Sequence, residues 1–283
     1  MSENESKRVR RDAARERARE ARAKEQARRR RNRTLGISGI IIGGLAVIAI
    51  VVVVIANSVQ PDGPGPKNMA SDGILFTGSD GQVIPVETTA TPDGGTPTAT
   101  KQDDSVANIT VYSDYMCPYC NQFETAQMDQ IEQWVQDGSA TLELHPFNLL
   151  DRVSLGSEYS TRAAAAAACV ANYDPDAFLA YNTSLYEHQP SESTRGLTND
   201  ELASLAKDAG ATNGKVASCI AGQDFAGWVA DATNRVLNDP IPNSSLDAVT
   251  STPTVIVNGK QYSGSLTDTD AFASFVEQNG GAA

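Results

Sequence analysis

The sequence predicts an α/β domain that is interrupted by a block of helices and is joined, through a stalk, to an N-terminal transmembrane helix. Three observations support this fold class. Strand-like apolar segments lie at both ends of the body of the chain, around residues 109 and 255. About ninety residues between them, from Ser157 onward, carry apolar side chains at helical spacing instead. A run of 22 uncharged residues, Leu35 to Ala56, lies near the N-terminus.

Charge is distributed very unevenly along the chain. Residues 1–33 contain 14 Lys or Arg and 6 Asp or Glu, whereas the rest contains 9 and 29. An acidic body repels phosphates, so we do not expect the chain to bind nucleic acid. With 40% hydrophobic residues, the chain is also too apolar for a disordered protein.

The uncharged run is long enough to cross a membrane, because 22 helical residues extend about 33 Å. Basic residues, Arg28 to Arg31 and Arg33, immediately precede it, and Asn57 to Pro66 follow without a basic residue. The positive-inside rule therefore predicts a cytoplasmic tail over residues 1–34, a single transmembrane helix over residues 35–57 and an exported body. The alternative is a cleaved signal peptide, whose apolar region is usually shorter. Both interpretations place the body outside the cytoplasm.

Residues 58–104 form the predicted stalk, because they are rich in Pro, Gly, Thr and Asp. Such a composition buries little apolar surface, and we expect most of this segment to be a tether. A hairpin is predicted near residues 73–86, where two short apolar runs flank Gly78-Ser79-Asp80-Gly81.

The order of elements in the body is strand, helix, strand, helical block, two strands and a final helix. We assign residues 105–150 and 250–283 to the two parts of the α/β core and residues 151–249 to the helical insertion. Thr198 and Glu201 have the spacing of a capping box within this insertion. Asn258-Gly259 between apolar runs predicts a hairpin in the second part of the core.

The sequence Cys117-Pro118-Tyr119-Cys120 follows a predicted strand and begins a predicted helix. Unpaired N–H groups of the first helical turn favour the thiolate of Cys117. Pro118 fits this turn because it needs no hydrogen-bond donor there. Cys120 lies on the same face and can form a disulfide with Cys117. We therefore predict thiol-disulfide exchange, with Cys117 as an accessible nucleophile and Cys120 as the resolving thiol.

Metal binding and a purely structural role are the alternatives for this motif. A zinc site usually needs four ligands in paired motifs, but Cys169 and Cys219 are isolated and the chain has only two histidines, His145 and His188. We predict no metal and no cofactor. In an oxidising compartment two leftover thiols usually pair, so we expect a structural Cys169–Cys219 disulfide; two buried free thiols are the alternative.

Two motifs together resemble the DsbA family of extracytoplasmic thiol-disulfide oxidoreductases, which have a thioredoxin fold. One is Cys117-Pro-Tyr-Cys-Asn-Gln-Phe-Glu124, and the other is Ser251-Thr252-Pro253-Thr-Val-Ile-Val-Asn-Gly-Lys260. The resemblance covers about residues 105–283. It implies a thioredoxin fold split by the helical insertion, and a cis Thr252–Pro253 peptide whose loop faces Cys117 and binds substrate.

The resemblance also implies a function. Substrates would be exported proteins with free thiols, and a quinone-coupled integral-membrane partner would reoxidise the enzyme. The exported location favours an oxidase, whereas a disulfide reductase or isomerase is the closest alternative. A stalked binding module with a vestigial Cys-x-x-Cys motif is a third hypothesis.

The chain departs from the family pattern at two positions near the motif. Tyr119 occupies a position that is often His, and Val111 occupies the position of a buried acid in many members. Asp114 and Glu124 are the nearest carboxylates, and either could transfer a proton to Cys120. The alternative is that both are ordinary solvated acids.

Overall fold

The computed structural model describes residues 63–280, so the predicted cytoplasmic tail and transmembrane helix lie outside the described residues. Within residues 63–280 no helix combines the length and apolar character needed to cross a membrane. The described strands are β1 (Ile74–Ser79), β2 (Gln82–Pro85), β3 (Ala107–Ser113), β4 (Ala140–Pro146), β5 (Thr254–Val257) and β6 (Lys260–Gln261). The described helices are α1 (Pro118–Gln136), α2 (Tyr159–Tyr173), α3 (Phe178–Glu187), α4 (Asn199–Asp208), α5 (Gly214–Gly222), α6 (Ala226–Asn238) and α7 (Thr269–Asn279).

The six strands between residues 74 and 261 form one sheet in the order β2-β1-β4-β3-β5-β6. Only β3 and β4 pair in parallel, and α1 connects them. All seven residues of β3 are buried, as expected for a central strand whose two faces are both covered. The Cys117–Cys120 motif lies where β3 ends and α1 begins, at the C-terminal end of this central strand.

Helix α1 begins directly after Cys117, with Pro118 in its first turn, as predicted. Its buried face includes Phe123 and Ile131. The ring of Phe123 meets that of Phe272 from α7 edge to face, with 5.4 Å between the ring centroids. Residues from both parts of the predicted core therefore pack together around α1.

The predicted helical insertion is present as α2 to α6. Six consecutive alanines, Ala163 to Ala168, are completely buried in α2. Their small side chains fit where larger ones would clash, so neighbouring helices can surround α2 on every side. The capping box is confirmed, since the Thr198 side chain accepts from the Glu201 N–H and the Glu201 side chain accepts from the Thr198 N–H. A disulfide between Cys169 and Cys219 joins α2 to α5.

The expected tether is wrong for the described part of the stalk, residues 63–104. Met69 in this segment is fully buried. The carboxylate of Asp72 accepts from Arg235 of α6 at 2.7 and 2.9 Å and from the Trp228 indole at 3.2 Å. The buried Glu143 of β4 accepts from the hydroxyls of Ser71 and Thr100 at 2.5 Å. Directed hydrogen bonds thus order a segment whose apolar content is low.

The predicted hairpin, now β1 and β2, also has a larger role than packing against the domain. Strand β1 pairs antiparallel with β4, with Ile74 opposite Leu144, so the hairpin adds two strands to the sheet. We name residues 63–104 the N-terminal strap, because they join this edge of the sheet to the helical insertion.

Candidate active site

The turn between β3 and α1 determines where the first sulfur lies. The N–H of Cys117 donates to the Asp114 carbonyl at 3.0 Å, which closes a tight turn. The Asp114 carboxylate accepts from the Met116 N–H at 2.8 Å inside this turn. Cys117 is the N-cap of α1 and has an extended backbone conformation. Its sulfur therefore lies at the positive end of the helix dipole, as predicted.

The pKa of Cys117 is lowered, chiefly because the Cys120 thiol donates a hydrogen bond to its sulfur. The N–H groups of Cys120 and Tyr119 lower the pKa further, whereas burial opposes the shift. The helical N–H groups, which the sequence indicated as the cause of the shift, contribute less than the second thiol. A low pKa makes Cys117 the nucleophilic sulfur of the pair.

Cys117 is less accessible than we expected, since only 3% of its surface is exposed. Its sulfur lies 3.4 Å from the carbonyl oxygen of Thr252 and donates to it. In contrast, 59% of the neighbouring Tyr119 is exposed. Tyr119 is therefore far more exposed than the cysteine that precedes it in the motif.

The pKa of Cys120 is shifted in the opposite direction to that of Cys117. Burial is the main reason why the pKa of Cys120 is raised, and negative charge on Cys117 adds to the effect. The hydroxyl of Thr252 lies 2.9 Å from the Cys120 sulfur. The Thr252–Pro253 peptide is cis in the structure. Thr252 therefore lies beside both sulfurs. Its carbonyl is next to Cys117, and its hydroxyl is next to Cys120.

Both candidate acids are buried, so neither is an ordinary solvated carboxylate. Asp114 is fully buried and accepts three hydrogen bonds, from the N–H groups of Met116 and Leu150 and from the Ser160 hydroxyl. Burial raises the pKa of Asp114 to about 6, although these donors favour the charged form. Asp114 thus joins the turn before Cys117 to the insertion.

Glu124 lies one helical turn after Cys120 on the same buried face of α1. Burial raises the pKa of Glu124 to about 8, so its carboxyl is mostly protonated at neutral pH. The side-chain amide of Asn182 in α3 donates to Oε1 of Glu124. Val111, at the position where many family members have an acid, is buried in β3.

Residues of the insertion that no sequence motif indicated complete the site. The side-chain carbonyl oxygen of Asn182 accepts from the Tyr115 hydroxyl at 3.0 Å. The Gln189 amide donates to the carbonyls of Tyr115 and Cys117 at 3.1 and 2.9 Å. The Asn121 amide donates to the carbonyl of Tyr186. The helical spacing of Tyr181 and Leu185 predicted α3, but nothing in the sequence indicated which face of α3 meets Cys120.

The two histidines have no contact with the sulfurs in the described structure. His145 stacks on Tyr112 and lies 3.4 Å from the Glu143 carboxylate. Nδ1 of His188 lies 2.9 Å from the carbonyl of Ser184. Cys169 and Cys219, which are joined in the insertion, are likewise separate from the Cys117–Cys120 pair.

Comparison with known proteins agrees with this geometry. The family model described as Thioredoxin matches residues 99–278, which is more than half of the chain. The chain belongs to the thioredoxin family. This membership confirms the predicted fold, an α/β thioredoxin core with a helical insertion.

Two similar solved structures come from Mycobacterium tuberculosis. One is the reduced form of the disulfide bond oxidoreductase DsbG, and the other is reduced DsbA; each is 29% identical to this thioredoxin-family chain, with a TM-score of 0.55. Each match covers 74% of this chain, and 87% and 92% of the respective relatives. BdbD from Bacillus subtilis shares the fold, with 20% identity, a TM-score of 0.52, and coverage of 78% and 98%. The predicted enzyme class, a DsbA-like thiol-disulfide oxidoreductase, is confirmed by the two mycobacterial relatives.

Part of this family member also resembles a protein of a different kind. The serine/threonine-protein kinase PknE from Mycobacterium tuberculosis is 32% identical over 130 residues. The match covers 44% of this chain and only 23% of the kinase, so it spans less than a quarter of that relative.

Proposed function

We propose that this enzyme is a disulfide oxidase for exported proteins, anchored in the cell membrane by residues 35–57 with its catalytic domain outside. The observation that carries the proposal is the asymmetry of the two sulfurs. The pKa of Cys117 is lowered and that of the buried Cys120 is raised. A stabilised Cys117 thiolate favours the reduced enzyme, and a stable reduced form is what makes an oxidised enzyme a strong oxidant.

In this mechanism, a substrate thiolate attacks the Cys117 sulfur of the oxidised enzyme. The Cys117–Cys120 bond breaks, and its electron pair leaves on the Cys120 sulfur. A second substrate thiolate then attacks the substrate sulfur of the mixed disulfide and releases Cys117 as a thiolate. The substrate loses two electrons and gains a disulfide, while the enzyme becomes the dithiol.

The leaving sulfur, Cys120, needs a proton because its burial penalises a charge. Glu124 is better suited to supply that proton than Asp114. Asp114 is fixed by three donors and charged at neutral pH, whereas Glu124 has one donor and a pKa of about 8. We assign Glu124 as the proton donor to Cys120 and Asp114 as a structural residue of the turn.

The surroundings of Cys117 fit a role in substrate contact. Tyr119 of the motif is exposed, and the Thr252 carbonyl of the Thr252–Pro253 loop lies 3.4 Å from the Cys117 sulfur. We assign both to binding of an extended substrate chain. Each turnover leaves the enzyme reduced, so a quinone-coupled membrane partner would have to reoxidise it. A membrane anchor would increase the effective concentration of that partner.

The equilibrium of the full chain with a glutathione buffer tests the direction of the reaction. A reduction potential above about −180 mV is expected for an oxidase. A potential below about −250 mV would indicate a reductase and overturn the proposal. The measurement follows the ratio of dithiol to disulfide by alkylation and mass shift.

Two variants test the roles of the sulfurs. Cys117→Ala should lose all exchange activity because no mixed disulfide can form at the nucleophile. Cys120→Ala should form a stable mixed disulfide with a disulfide-containing peptide, because the Cys117 thiolate attacks the peptide disulfide and releases one of its sulfurs as a thiolate, but no second enzyme thiol can resolve the product. If Cys117→Ala retains turnover, the enzymatic assignment fails; if the wild type binds peptides without exchanging disulfides, the chain is a binding module.

A further inference from the structure

Two side-chain amides, those of Asn121 and Gln189, cross the junction between the active-site helix α1 and the insertion helix α3. Asn121 lies in the first turn of α1, and Gln189 follows the end of α3. Nε2 of Gln189 donates to the carbonyl of Tyr115 at 3.1 Å and to that of Cys117 at 2.9 Å. Nδ2 of Asn121 donates in the opposite direction, to the Tyr186 carbonyl at 2.6 Å. The junction is therefore held by hydrogen bonds from both sides.

Each amide donates to a carbonyl that also accepts from the backbone of the other residue. The Cys117 carbonyl accepts from the Asn121 N–H at 3.2 Å as well as from the Gln189 amide. The Tyr186 carbonyl accepts from the Gln189 N–H at 3.2 Å as well as from the Asn121 amide. A carbonyl oxygen has two lone pairs, so each can accept both donors. We call this reciprocal set of hydrogen bonds the Asn121–Gln189 clamp.

The orientation of each amide follows from its partners. The Thr125 hydroxyl donates to Oδ1 of Asn121 at 3.1 Å, so Nδ2 is the atom that faces the Tyr186 carbonyl. The amide of Gln189 faces two carbonyl oxygens, which only N–H groups can satisfy. A glutamate at position 189 would have no donor for either carbonyl once it is ionised. The clamp therefore requires a neutral amide at this position.

The clamp acts on the backbone of the residue that carries the nucleophile. Cys117 is the N-cap of α1, and its carbonyl is part of the peptide that leads into Pro118. The Cys120 thiol and, after it, the N–H groups of Cys120 and Tyr119 lower the pKa of Cys117. The direction of those N–H groups towards the sulfur depends on how the Cys117–Pro118 peptide lies. Gln189 holds the carbonyl of that peptide, and thereby its plane.

We propose that Gln189 and Asn121 are positioning residues that hold the backbone of Cys117 in the geometry in which its sulfur is a stabilised thiolate. The inference deepens the proposed function and rests on its assignment of Cys117 as the nucleophile. Both residues act through the clamp and take no part in the transfer of a proton or a sulfur. The helical insertion thereby controls the reactivity of a cysteine that belongs to the thioredoxin core.

Gln189→Met tests this proposal, because methionine has a similar length but no N–H donor. The reduced full chain is alkylated with iodoacetamide over a range of pH, and the rate reports the Cys117 thiolate. The midpoint of the pH–rate profile should move to higher pH, and the rate below the midpoint should fall about fivefold, as expected for one lost hydrogen bond. The equilibrium with glutathione should shift towards the oxidised enzyme by a similar factor, because a less stable thiolate disfavours the dithiol.

Gln127→Met is the matched control. Gln127 is buried in α1, and its amide also donates to the backbone of another segment, at the Leu266 carbonyl before α7, over 2.8 Å. This variant should lose stability in urea through the same kind of missing bond, but its pH–rate profile and glutathione equilibrium should stay within about twofold of the wild type. A wild-type profile in Gln189→Met, or an equal shift in both variants, would overturn the proposal.

Asn121→Ala tests the other half of the clamp. It removes the bond to the Tyr186 carbonyl and keeps the N–H that donates to Cys117, so it should shift the pH–rate profile in the same direction as Gln189→Met. Because the two amides act together, the double variant should react at most about twofold more slowly than Gln189→Met alone. A wild-type profile in Asn121→Ala, or losses that multiply in the double variant, would reject the clamp.

Alanine is favourable in a helix, so Asn121→Ala keeps the proposal testable if Gln189→Met folds poorly. Failure of the oxidase proposal is distinguishable from failure of the clamp. The first would appear as a low reduction potential of the wild type or as turnover by Cys117→Ala. The clamp is judged instead from the differences between the Gln189, Asn121 and Gln127 variants and the wild type.

Discussion

At the residue scale, two carboxyls that are ten positions apart have different roles because their partners differ. Asp114 accepts three hydrogen bonds, two of them from backbone N–H groups. Glu124 accepts one, from the Asn182 amide. Both pKa values are raised by burial, but that of Asp114 reaches only about 6 and that of Glu124 about 8. Asp114, with three donors, is therefore a structural anion, whereas Glu124, with one donor, is an acid that can release a proton.

This difference predicts a pH dependence of stability. The folded state holds the Glu124 proton up to pH 8, whereas the unfolded state releases it near pH 4.5. The stabilisation that Glu124 contributes should therefore be complete below about pH 4.5 and fall as pH rises from there to pH 8, by about 1 kcal/mol per pH unit. Between pH 6 and 8 the protonation of Asp114 contributes little, because its pKa is about 6 in the folded state. The change in stability between pH 6 and 8 therefore reports chiefly on the Glu124 proton.

Glu124→Gln should abolish this slope, because glutamine has no proton to release. The measurement is urea unfolding of the oxidised protein at pH 6, 7 and 8, since Cys117 and Cys120 do not titrate while they form a disulfide. The half-buried Glu132 on α1 would be a poor control because its own pKa is raised; Asp129→Asn, at an exposed position of α1, is suitable. An equal slope in Glu124→Gln and the wild type would contradict the assigned pKa.

At the element scale, the insertion and the thioredoxin core form the site together. Helix α3 supplies Asn182, whose amide donates to Glu124, and the loop after it supplies Gln189, whose amide donates to the Cys117 carbonyl. The insertion is itself held by the disulfide between α2 and α5. Its stability therefore determines how well the surroundings of the sulfurs are maintained.

Replacing both cysteines of that disulfide by alanine should lower the free energy of unfolding. The bond closes a loop of 50 residues, which corresponds to about 4 kcal/mol in the chain-entropy model. Urea unfolding of the Cys169→Ala/Cys219→Ala variant measures the loss. Exchange with glutathione should persist well below the unfolding temperature, because this pair does not contact Cys117. A loss below about 1 kcal/mol would show that the bond contributes little.

The sequence was informative about elements and much less so about contacts between them. Local patterns suffice for the Cys117–Cys120 motif, the capping box at Thr198 and the hairpin after Gly73, because each depends on residues close in the chain. The partner of Glu124 comes from α3, 58 positions away. Which face of α3 meets α1 depends on packing of the whole insertion, and no short pattern encodes it.

At the scale of the whole molecule, the N-terminal strap connects regions that are distant in sequence. Its Asp72 pairs with Arg235 across 163 positions, and its Asn68 amide donates to the Ala171 carbonyl across 103. Composition predicted a tether here because it measures apolar content. It does not register that Asn, Asp, Ser and Thr can saturate buried donors and acceptors when the geometry is right.

Asp72→Asn should lower the free energy of unfolding by about 2 kcal/mol, because Arg235 loses its counter-charge in a mostly buried site. Asparagine tolerates the positive φ of 67° at this position, so the backbone is preserved. Asp80→Asn is the matched control, since Asp80 also has a positive φ, of 51°, but is exposed. Equal stability of the two variants would show that the ion pair is unimportant.

The strap has a consequence for the order in which the protein forms during synthesis. A ribosome that adds about 5–20 residues per second delivers Arg235 roughly 8–30 s after Asp72. For the first part of that interval, until residues 140–146 have been added, β1 also has no β4 to pair with, and Asp72 has only water in place of Arg235 throughout. The first part of the domain to leave the ribosome is therefore among the last to acquire its native contacts. The nascent chain also contains Cys117 and Cys120 before the residues that surround them have been synthesised.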